Sequence, residues 1–559
     1  MTPGAGEHPA GRSWWIETAP GTPRPTLAAS ERPRVDTVVL GGGIAGLCTA
    51  RELARSGHEV LVLEADRIAA GVTGHTSAKV TALQGLRYSE LRDRHGPGTA
   101  RLYADAHRRA VERIAEIADE LSADCDLARR PALTWAETAD TEKAVRAEAE
   151  AAREAGLPVT LIEGPEGAGT GLPFPVRAAV RLDDQIAFHP RAWLLAVAED
   201  IERHGGRIVE RSRAVELHEG DPCRVVTENG AEVTARHVVI ATHYPVFDRA
   251  MLFGRLEAKR EWVIGARIPV DSAPSVMALT PDHGTRSVRT APLPHGPDAS
   301  EEQCLLILTG EKFLPGDGPM TPGVRRLETW LRERFPGAVE THRWATQDTF
   351  GTDGVPFIGP FHAGARKTFV ATGFNAWGMT GGVVAGDLLA GLIRGEEEPP
   401  PWAEMHDPRR LHPIREAGSA LGLQATVARQ FVGDRLRPAE ADSVEDVAPG
   451  TGALVRVGAR KVAVHRDPAG TVRALSARCT HLGCLVRFNE VETAWECPCH
   501  GSRFDVDGAV LQGPATRPLE PRDPDAPSRD GDADDDEPGQ PEYLDDPGSD
   551  PAPDPAERG

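Results

Sequence analysis

Residues 35–46 read VDTVVLGGGIAG, and this stretch decides the fold of most of the chain. The apolar, β-branched run 35–40 predicts a buried strand that ends at a glycine-rich turn. Residues 44–56 follow with apolar side chains at helical spacing, and Gly57 ends that helix. A second apolar run over 59–63 predicts another buried strand, so these elements form a complete βαβ unit.

The glycines of this unit predict a dinucleotide site. Gly41 permits the tight turn, Gly43 lets a pyrophosphate approach the backbone, and Gly46 lets helix and strand pack closely. The N-terminus of the helix stabilises the phosphate charge, and Glu64 can accept hydrogen bonds from ribose hydroxyls. The fingerprint alone leaves open whether the dinucleotide is NAD or FAD.

Other segments favour FAD. These are residues 71–79 (GVTGHTSAK), 236–242 (RHVVIAT), 352–359 (TDGVPFIG) and 371–380 (ATGFNAWGMT). Together with the fingerprint they resemble the FAD-dependent oxidoreductases of the D-amino-acid oxidase, glycine oxidase and sarcosine oxidase superfamily, over roughly residues 35–395. The resemblance implies an α/β Rossmann-like FAD-binding domain with an α+β substrate and cap subdomain. Helical spacing over 96–125 and 138–155 suits the cap.

The resemblance also implies which residues bind FAD. Those at the adenosine and pyrophosphate are Gly41, Gly43, Gly46 and Glu64. Those at the flavin and its ribityl chain are Thr73, Thr76 and Ser77. Those that line the isoalloxazine are Gly354, Gly378, Met379 and Thr380. His75 lies where some relatives attach the flavin covalently, but a histidine that only lines a noncovalent cofactor is the favoured interpretation.

Catalytic residues remain unknown from the sequence. Thr380 lies where amino-acid and sarcosine oxidases often have a lysine that holds the substrate carboxylate, which puts a small free amino acid in doubt. Candidates for holding an anion are Lys79, Arg260 and Arg289, and candidates for shaping the pocket are Tyr88 and Trp377. For each of them an ordinary structural role is the favoured alternative.

Two cysteine and histidine boxes lie near the C-terminus. Residues 479–484 read CTHLGC and residues 497–502 read CPCHGS. Each box offers a thiolate and an imidazole, a set that suits a [2Fe–2S] pair with two cysteines on one iron and two histidines on the other. A zinc ribbon is the alternative, but it does not explain six cysteine and histidine positions.

The boxes resemble the Rieske [2Fe–2S] domain in sequence and spacing. By this resemblance the cluster ligands are Cys479, His481, Cys497 and His500. The resemblance also implies a disulfide between Cys484 and Cys499.

Three further residues of this domain bear on the cluster. Ser502 keeps a hydrogen-bond donor toward cluster sulfur, whereas Phe504 stands where the respiratory version of the family usually has a tyrosine donor. Such hydrogen bonds favour the reduced state and raise the reduction potential. Because Phe504 lacks one of the two donors, we predict a reduction potential in the lower part of the Rieske range, roughly −150 to +100 mV. Pro514 lies in what resembles the loop that covers the cluster.

Composition shifts divide the chain. We predict a flexible leader (1–33), an FAD-dependent oxidoreductase domain (34–395), a linker with a helix (396–440), a small all-β Rieske domain (441–522) and an acidic disordered tail (523–559). Triple proline at 399–401 ends the first domain, and residues 413–435 have helical spacing. The tail lacks the apolar residues that a core needs.

Net charge and hydropathy exclude several classes. The formal charge is −21, and residues 521–559 carry 14 acidic and 3 basic side chains, so 14 − 3 = 11 of the excess charges lie there. This balance disfavours nucleic acid as a partner. No apolar run approaches the roughly 18–20 residues of a membrane helix, and no signal sequence is evident. We therefore expect a cytoplasmic protein.

A flavin and a [2Fe–2S] cluster on one chain imply conversion between two-electron and one-electron chemistry. We predict a dehydrogenase that oxidises the C–N bond of an amine or N-substituted amino acid. Its partners would be this small molecule and an external one-electron carrier such as ferredoxin or a cytochrome. The alternatives are a reductase with reverse electron flow, and a redox sensor or carrier without a dedicated organic substrate.

Overall fold

The computed structural model describes residue 11 and residues 13–164, 169–247, 251–293, 302–410, 439–458 and 460–523. The predicted linker helix over 413–435 lies outside these residues, as does the acidic tail beyond residue 523.

The dinucleotide fingerprint lies in an eight-stranded sheet. Its strands are β1 (Arg34–Leu40), β2 (Val60–Leu63), β7 (Arg207–Val209), β8 (Ala214–His218), β9 (Cys223–Thr227), β10 (Glu232–Ile240), β16 (Phe357–Pro360) and β17 (Thr368–Thr372). The order is β16-β17-β10-β1-β2-β7, with β9 on β10 and β8 on β9. The central pairs β17·β10, β10·β1, β1·β2 and β2·β7 are parallel, so their carboxyl ends meet at one edge. Ligands of open α/β sheets bind at that edge.

A nine-stranded mixed sheet forms the second layer. Its strands are β3 (Lys79–Val80), β4 (Ala128–Ala136), β5 (Thr160–Glu163), β6 (Ala178–Ala187), β11 (Leu256–Pro269), β12 (Met277–Thr280), β13 (Arg286–Ala291), β14 (Gln303–Phe313) and β15 (Val339–Gly351). The order is β15-β11-β14-β13-β12-β4-β6-β3, with β5 on β6. Strands from distant parts of the chain thus share one surface.

Helices cover both sheets. They are α1 (Trp14–Thr18), α2 (Ile44–Arg55), α3 (Arg87–His95), α4 (Pro97–Leu121), α5 (Ala139–Glu154), α6 (Pro190–Arg203), α7 (Thr321–Arg334), α8 (Gly378–Arg394) and α9 (Ala403–His406). Helices α2 and α8 pack against each other, and their apolar faces join β1 and β2 in the largest core. The cap helices α4 and α5 lie where helical spacing predicts them.

The described part of the leader is packed, unlike the flexible segment that we expected. Ser13 caps α1, because its hydroxyl accepts a hydrogen bond from the Ile16 N–H. Trp15 is buried, and its indole N–H donates to the Thr76 carbonyl at 2.7 Å. Trp14 and Trp15 bury apolar area that anchors this segment on residues 71–79, here called the flavin loop, although the leader is rich in proline and glycine.

The C-terminal domain consists of two small antiparallel sheets. Strands β18 (Thr451–Val457), β19 (Arg460–Arg466) and β20 (Val472–Ser476) form the first, and β21 (Arg487–Asn489), β22 (Ala494–Glu496), β23 (Arg503–Phe504) and β24 (Val510–Gln512) form the second. The whole arrangement confirms the predicted fold class, an α/β dinucleotide domain with an α+β subdomain and a small all-β domain.

Candidate functional site

The glycine-rich turn presents the N-terminus of α2 to a cavity. Gly41 has a φ of +104°, which L side chains rarely adopt, and a Cβ on Gly46 would lie 2.0 Å from the Gly41 carbonyl oxygen. Gly43 is the N-cap of α2, and a Cβ there would meet only the Thr73 hydroxyl, at 3.4 Å. The turn therefore leaves open space beside the positive end of the helix dipole, where a pyrophosphate fits.

Glu64 stands at the carboxyl end of β2. Its carboxylate accepts hydrogen bonds from the Gly42 N–H at 2.7 Å and from the Asp66 N–H at 2.9 Å. Burial raises the pKa of Glu64 above its usual value, and these two donors oppose the effect. The carboxylate is held in place beside the turn, where its remaining lone pairs can accept from a ribose.

The cavity has a volume of about 500 Å³ and is lined by most of the predicted FAD-binding residues. Those that line it are Gly41, Gly43, Glu64, Thr73, Thr76, Ser77, Gly378 and Met379. Thr73 also accepts a hydrogen bond from the Ile44 N–H at 3.2 Å, which fixes the flavin loop to the start of α2. The glycine-rich turn, Glu64 and the flavin loop therefore surround one cavity, and the residues of this cavity fit a flavin dinucleotide.

Three predicted residues lie elsewhere. Gly46 packs against the turn. The Gly354 carbonyl accepts from Arg87 at 3.2 Å and from Asn375 at 3.3 Å, so this glycine braces a loop. The Thr380 hydroxyl lies 2.7 Å from the His107 ring in the buried core. None of these three residues lines the cavity among the residues that the structure describes. Each of them instead supports a segment that does line it.

The second sheet closes the cavity with polar side chains that the sequence did not single out. They are Glu261, Thr309, Thr346, Gln347, Asp348 and Thr349, from β11, β14 and β15. Burial, followed by the negative charge of Glu261, raises the pKa of Asp348 to about 7. Isolated polar residues on strands far apart in the chain carry no local signal of a shared cavity, so the sequence did not mark them.

The cationic candidates for substrate binding are engaged elsewhere. The Lys79 ammonium contacts the Ser287 hydroxyl, and burial lowers the pKa of Lys79 to about 7. Arg289 donates to the carbonyls of Ala78 and Phe188, and burial lowers the pKa of Arg289 to about 9. Both side chains satisfy buried backbone or hydroxyl groups, so they serve the structure around the flavin loop.

The aromatic candidates and His75 have distinct positions. Tyr88 is fully buried in the core under the cap and donates to the Ala82 carbonyl at 2.6 Å. Trp377 precedes α8 and is not part of the cavity lining in the described residues. His75 does line the cavity, and its Nδ1 lies 2.9 Å from the Gly71 carbonyl.

The two cysteine and histidine loops have the same backbone geometry. In each, the N–H of the first cysteine donates to the carbonyl of the sixth residue at 2.8 Å, and the glycine N–H donates back at 3.0 Å. These glycines, Gly483 and Gly501, have φ of +75° and +79°. The repeated turn holds the thiol and imidazole of each loop on one side.

The structure brings the predicted cluster ligands together. The rings of His481 and His500 are 5.0 Å apart, and the thiols of Cys479 and Cys497 share a hydrogen bond. Both ring nitrogens of His500 and Nδ1 of His481 are buried without a protein partner in the described residues. Unpartnered imidazoles beside two thiols suit the Cys₂His₂ donor set of a Rieske cluster.

A disulfide and a loop hold this site. Cys484 and Cys499 are joined, with their Cα atoms 6.6 Å apart. The Ser502 hydroxyl bonds the Cys479 thiol and accepts from the Ala515 N–H at 3.0 Å. Thr480 donates to the Arg517 carbonyl at 2.6 Å, so residues 513–517, which include Pro514, are tied to both loops.

The cluster-bearing domain packs on the cavity. Its residues Glu492, Arg503, Leu511, Gln512 and Gly513 line the same space as the flavin loop. Gln347, on β15, donates from Nε2 to the Gly501 carbonyl at 3.2 Å. The ring of Tyr244 is 5.8 Å from that of His500, and its neighbour His243 lines the cavity. Two short connections therefore join the cavity wall to the loop that carries His500.

Arg260, a predicted pocket candidate, forms the centre of this interface instead. Its guanidinium contacts the carboxylates of Glu492 and Glu496. Arg503 pairs with the same two groups at 3.0 and 3.3 Å. Burial raises the pKa of Glu492, but the attraction of Arg260 and Arg503 outweighs it and lowers the pKa to about 2. Because its guanidinium is engaged by these two buried carboxylates, Arg260 is not available to a substrate anion.

Among the helices that the structure describes, none has the length and the apolar character needed to span a bilayer.

The comparisons with known proteins cover both sites. The FAD dependent oxidoreductase family matches residues 36–392, and the Rieske [2Fe-2S] domain matches residues 438–522. The Rieske 2Fe-2S iron-sulfur protein YhfW of Bacillus subtilis (strain 168) is 32% identical over 496 residues, which are 88% of this chain and 94% of that protein.

Two more distant proteins match about two thirds of the chain. Gamma-glutamylputrescine oxidoreductase of Escherichia coli (strain K12) is 24% identical over 390 residues, or 65% of this chain and 84% of that protein. The crystal structure of glycine oxidase from Geobacillus kaustophilus superposes with a TM-score of 0.56 at 18% identity, over 68% of this chain and 100% of that chain. This last similarity supports the fold of the first domain.

Proposed function

Because the chain belongs to the FAD-dependent oxidoreductase family and carries a C-terminal Rieske [2Fe-2S] domain, we propose that it oxidises the C–N bond of an amine or N-substituted amino acid and delivers the electrons to an external one-electron carrier. When bound, FAD accepts electrons in pairs and the cluster carries them singly. The observation that carries the proposal is the shared wall: Gln347 lines the cavity and is bonded to the loop of His500.

The residues of the chain would divide the work as follows. The α2 N-terminus and Glu64 would hold the dinucleotide, and Thr73, Thr76, Ser77, Gly378 and Met379, which line the same cavity, would contact the flavin. The cluster ligands would be Cys479, His481, Cys497 and His500. The Cys484–Cys499 disulfide ties their loops together.

The reaction balances as a two-electron oxidation. A protonated amine R–CH₂–NH₃⁺ becomes the iminium R–CH=NH₂⁺ and releases two electrons and two protons. The amine must lose a proton before its C–N bond is oxidised, and a carboxylate in the cavity can take it. Asp348 suits this role, since its pKa of about 7 lets it exchange a proton near neutral pH. The similarity to gamma-glutamylputrescine oxidoreductase supports an amine as the substrate.

Anaerobic reduction tests the proposal. The holoenzyme is mixed with a panel of amines and N-methylated amino acids while flavin absorbance and the magnetic resonance signal of the reduced cluster are recorded. We expect flavin bleaching followed by the cluster signal. In Cys479→Ser, which removes a predicted ligand, bleaching should persist without the signal. Cys304→Ser, near the start of β14 and not part of the cavity lining among the described residues, should behave as wild type.

The same experiment can refute the proposed amine oxidation. If no organic compound bleaches the flavin while reduced ferredoxin rapidly reduces cluster and flavin, electron flow is reversed or the protein is a carrier, and the proposal is wrong. A ferredoxin or cytochrome as the natural acceptor, and a cytoplasmic location, stay predictions.

A further inference from the structure

One large apolar side chain of the Rieske domain is left exposed at the cavity. Among the described residues four large apolar side chains are exposed, and of these only Leu511, at 52%, lines the cavity. Apolar surface in contact with water is unfavourable, and a ligand that covers it gains binding free energy. Leu511 is therefore a candidate for contact with a ligand of this cavity.

A β-bulge brings this segment to the cavity. Phe504 of β23 pairs with Val510 of β24, and both pack in the core of the domain. The neighbouring Arg503 pairs with Gln512, so Leu511 is an extra residue of β24. Arg503, Leu511 and Gln512 all line the cavity. The extra residue therefore lets two successive residues of one strand line the same space.

The bulge lies near the carboxylate that is predicted to bind the ribose. Arg213, which lines the cavity, donates from Nη2 to the Val510 carbonyl at 3.3 Å. Burial raises the pKa of Glu64, and the positive charge of Arg213 is among the effects that oppose this rise. Arg213 thus connects the surroundings of Glu64 with the bulge of the other domain.

The order of the strands places the adenine of a dinucleotide at this end. The turn after β1 receives the pyrophosphate, and Glu64 after β2 receives the ribose. Strand β7 is the next in the sheet, and the Glu64 N–H donates to the Val209 carbonyl at its end at 2.9 Å. The adenine would therefore lie beyond Glu64, beside Arg213 and Ala214, which follow β7 and line the cavity.

We infer that the Rieske domain completes the FAD site, with Leu511 covering the adenine of the cofactor. The segment 510–513 contacts the FAD-binding domain on two sides. Arg213 binds it at Val510, and a Cβ on Gly513 would lie 3.5 Å from Cγ1 of Val246, which also lines the cavity. The adenosine half of FAD is thus held between both domains. This inference concerns cofactor binding and does not depend on the proposed amine oxidation.

Titration of the full-length protein freed of flavin tests the inference. FAD and ADP both contain the adenosine, whereas FMN contains only the flavin half. By calorimetry we expect Leu511→Ala to weaken binding of FAD and of ADP about five- to tenfold, because about half of the leucine surface would be covered by the adenine. The Kd of FMN should stay unchanged. Unchanged Kd values for FAD and ADP, or an equal loss for FMN, would overturn the inference.

Two further variants serve as controls. Leu511→Met keeps most of the apolar surface and should retain the wild-type Kd for all three ligands. Val339→Ala also removes exposed apolar atoms, since Val339 is 56% exposed at the start of β15 and is not part of the cavity lining among the described residues. It should change none of the Kd values. Tm and the absorbance of the cluster report the folding of each variant.

A measurement on the wild type decides if Leu511→Ala does not fold. Amide hydrogen exchange over residues 510–513 of the flavin-free protein should become slower on addition of ADP or FAD and should not change with FMN. Exchange that ADP leaves unchanged, or that FMN slows as much, would overturn the inference. Neither measurement contains an amine, so failure of this inference and failure of the proposed oxidation are separate results.

Discussion

Replacement of Arg260 by methionine should detach the Rieske domain from the flavin cavity. In the wild type, Arg260 is 1% exposed and pairs with Glu492 and Glu496 across the domain interface. Removing one partner of a buried ion pair costs about 3–5 kcal/mol when the other charge is left unpaired. Arg503 still pairs with both carboxylates, so we expect a cost at the lower end of this range.

A loss of this size lowers the ratio of docked to undocked domain about 10²- to 10³-fold. The assay is anaerobic stopped-flow with an amine that bleaches the flavin. We expect unchanged bleaching in Arg260→Met, cluster reduction at least about tenfold slower, and faster proteolysis between the domains. Arg326→Gln is the control, since Arg326 is 60% exposed and pairs with Glu311 at 2.6 Å, an interaction worth about 0–1 kcal/mol. Wild-type cluster reduction in Arg260→Met would refute the reasoning.

Three further results are expected. Phe504→Tyr should raise the cluster potential by some tens of millivolts, because about 1 kcal/mol of stabilisation of the reduced state corresponds to about 40 mV for one electron; voltammetry that shows a fall or no change would contradict this. Gly46→Ala should abolish FAD binding, because the added Cβ would lie 2.0 Å from the Gly41 carbonyl oxygen. Gly98→Ala is the control, since a Cβ there meets nothing within 4 Å. This control should retain stoichiometric flavin absorbance. The pH profile of flavin bleaching by an amine should have an inflection near pH 7, because the pKa of Asp348 is about 7 and only its ionised form can take the amine proton. Glu261 and Lys312 act on this carboxylate and Lys259 lies opposite it, and Asp348→Asn should lack the inflection.

The nucleotide-binding part of the fold could be predicted because its signals are local. The strand, the glycine turn and the helix that begins at Ile44 follow one another directly, and each is dictated by its own residues. The cysteine and histidine loops are local in the same way. Their repeated hydrogen bonds need only six residues each.

The second sheet was not predictable in its order, because its pairings join distant segments. Strand β4 pairs in parallel with β12, and β3 forms the edge opposite β15. Glu261 and Asp348 become neighbours only through the pairing of β11 with β15. No spacing along the chain shows that these carboxylates share a cavity.

Two features could not be predicted, because composition and residue type conceal tertiary partners. The leader is rich in proline and glycine on average, yet Trp14 and Trp15 bury enough apolar surface to anchor it. Arg260 has the charge of a substrate anchor, but its partner Glu492 lies 232 residues further along the chain. For the leader and for Arg260, a few contacts between distant parts of the chain outweigh the local sequence pattern.

The central claim is that amine-derived electrons pass within one chain from the flavin cavity to the cluster. The most direct test follows the reduced-cluster signal after anaerobic mixing of the holoenzyme with a reactive amine, over a tenfold range of protein concentration. We predict that the rate constant of cluster reduction does not depend on protein concentration and is the same in Cys304→Ser. A cluster that stays oxidised, or a rate that rises in proportion to protein concentration, would contradict the account.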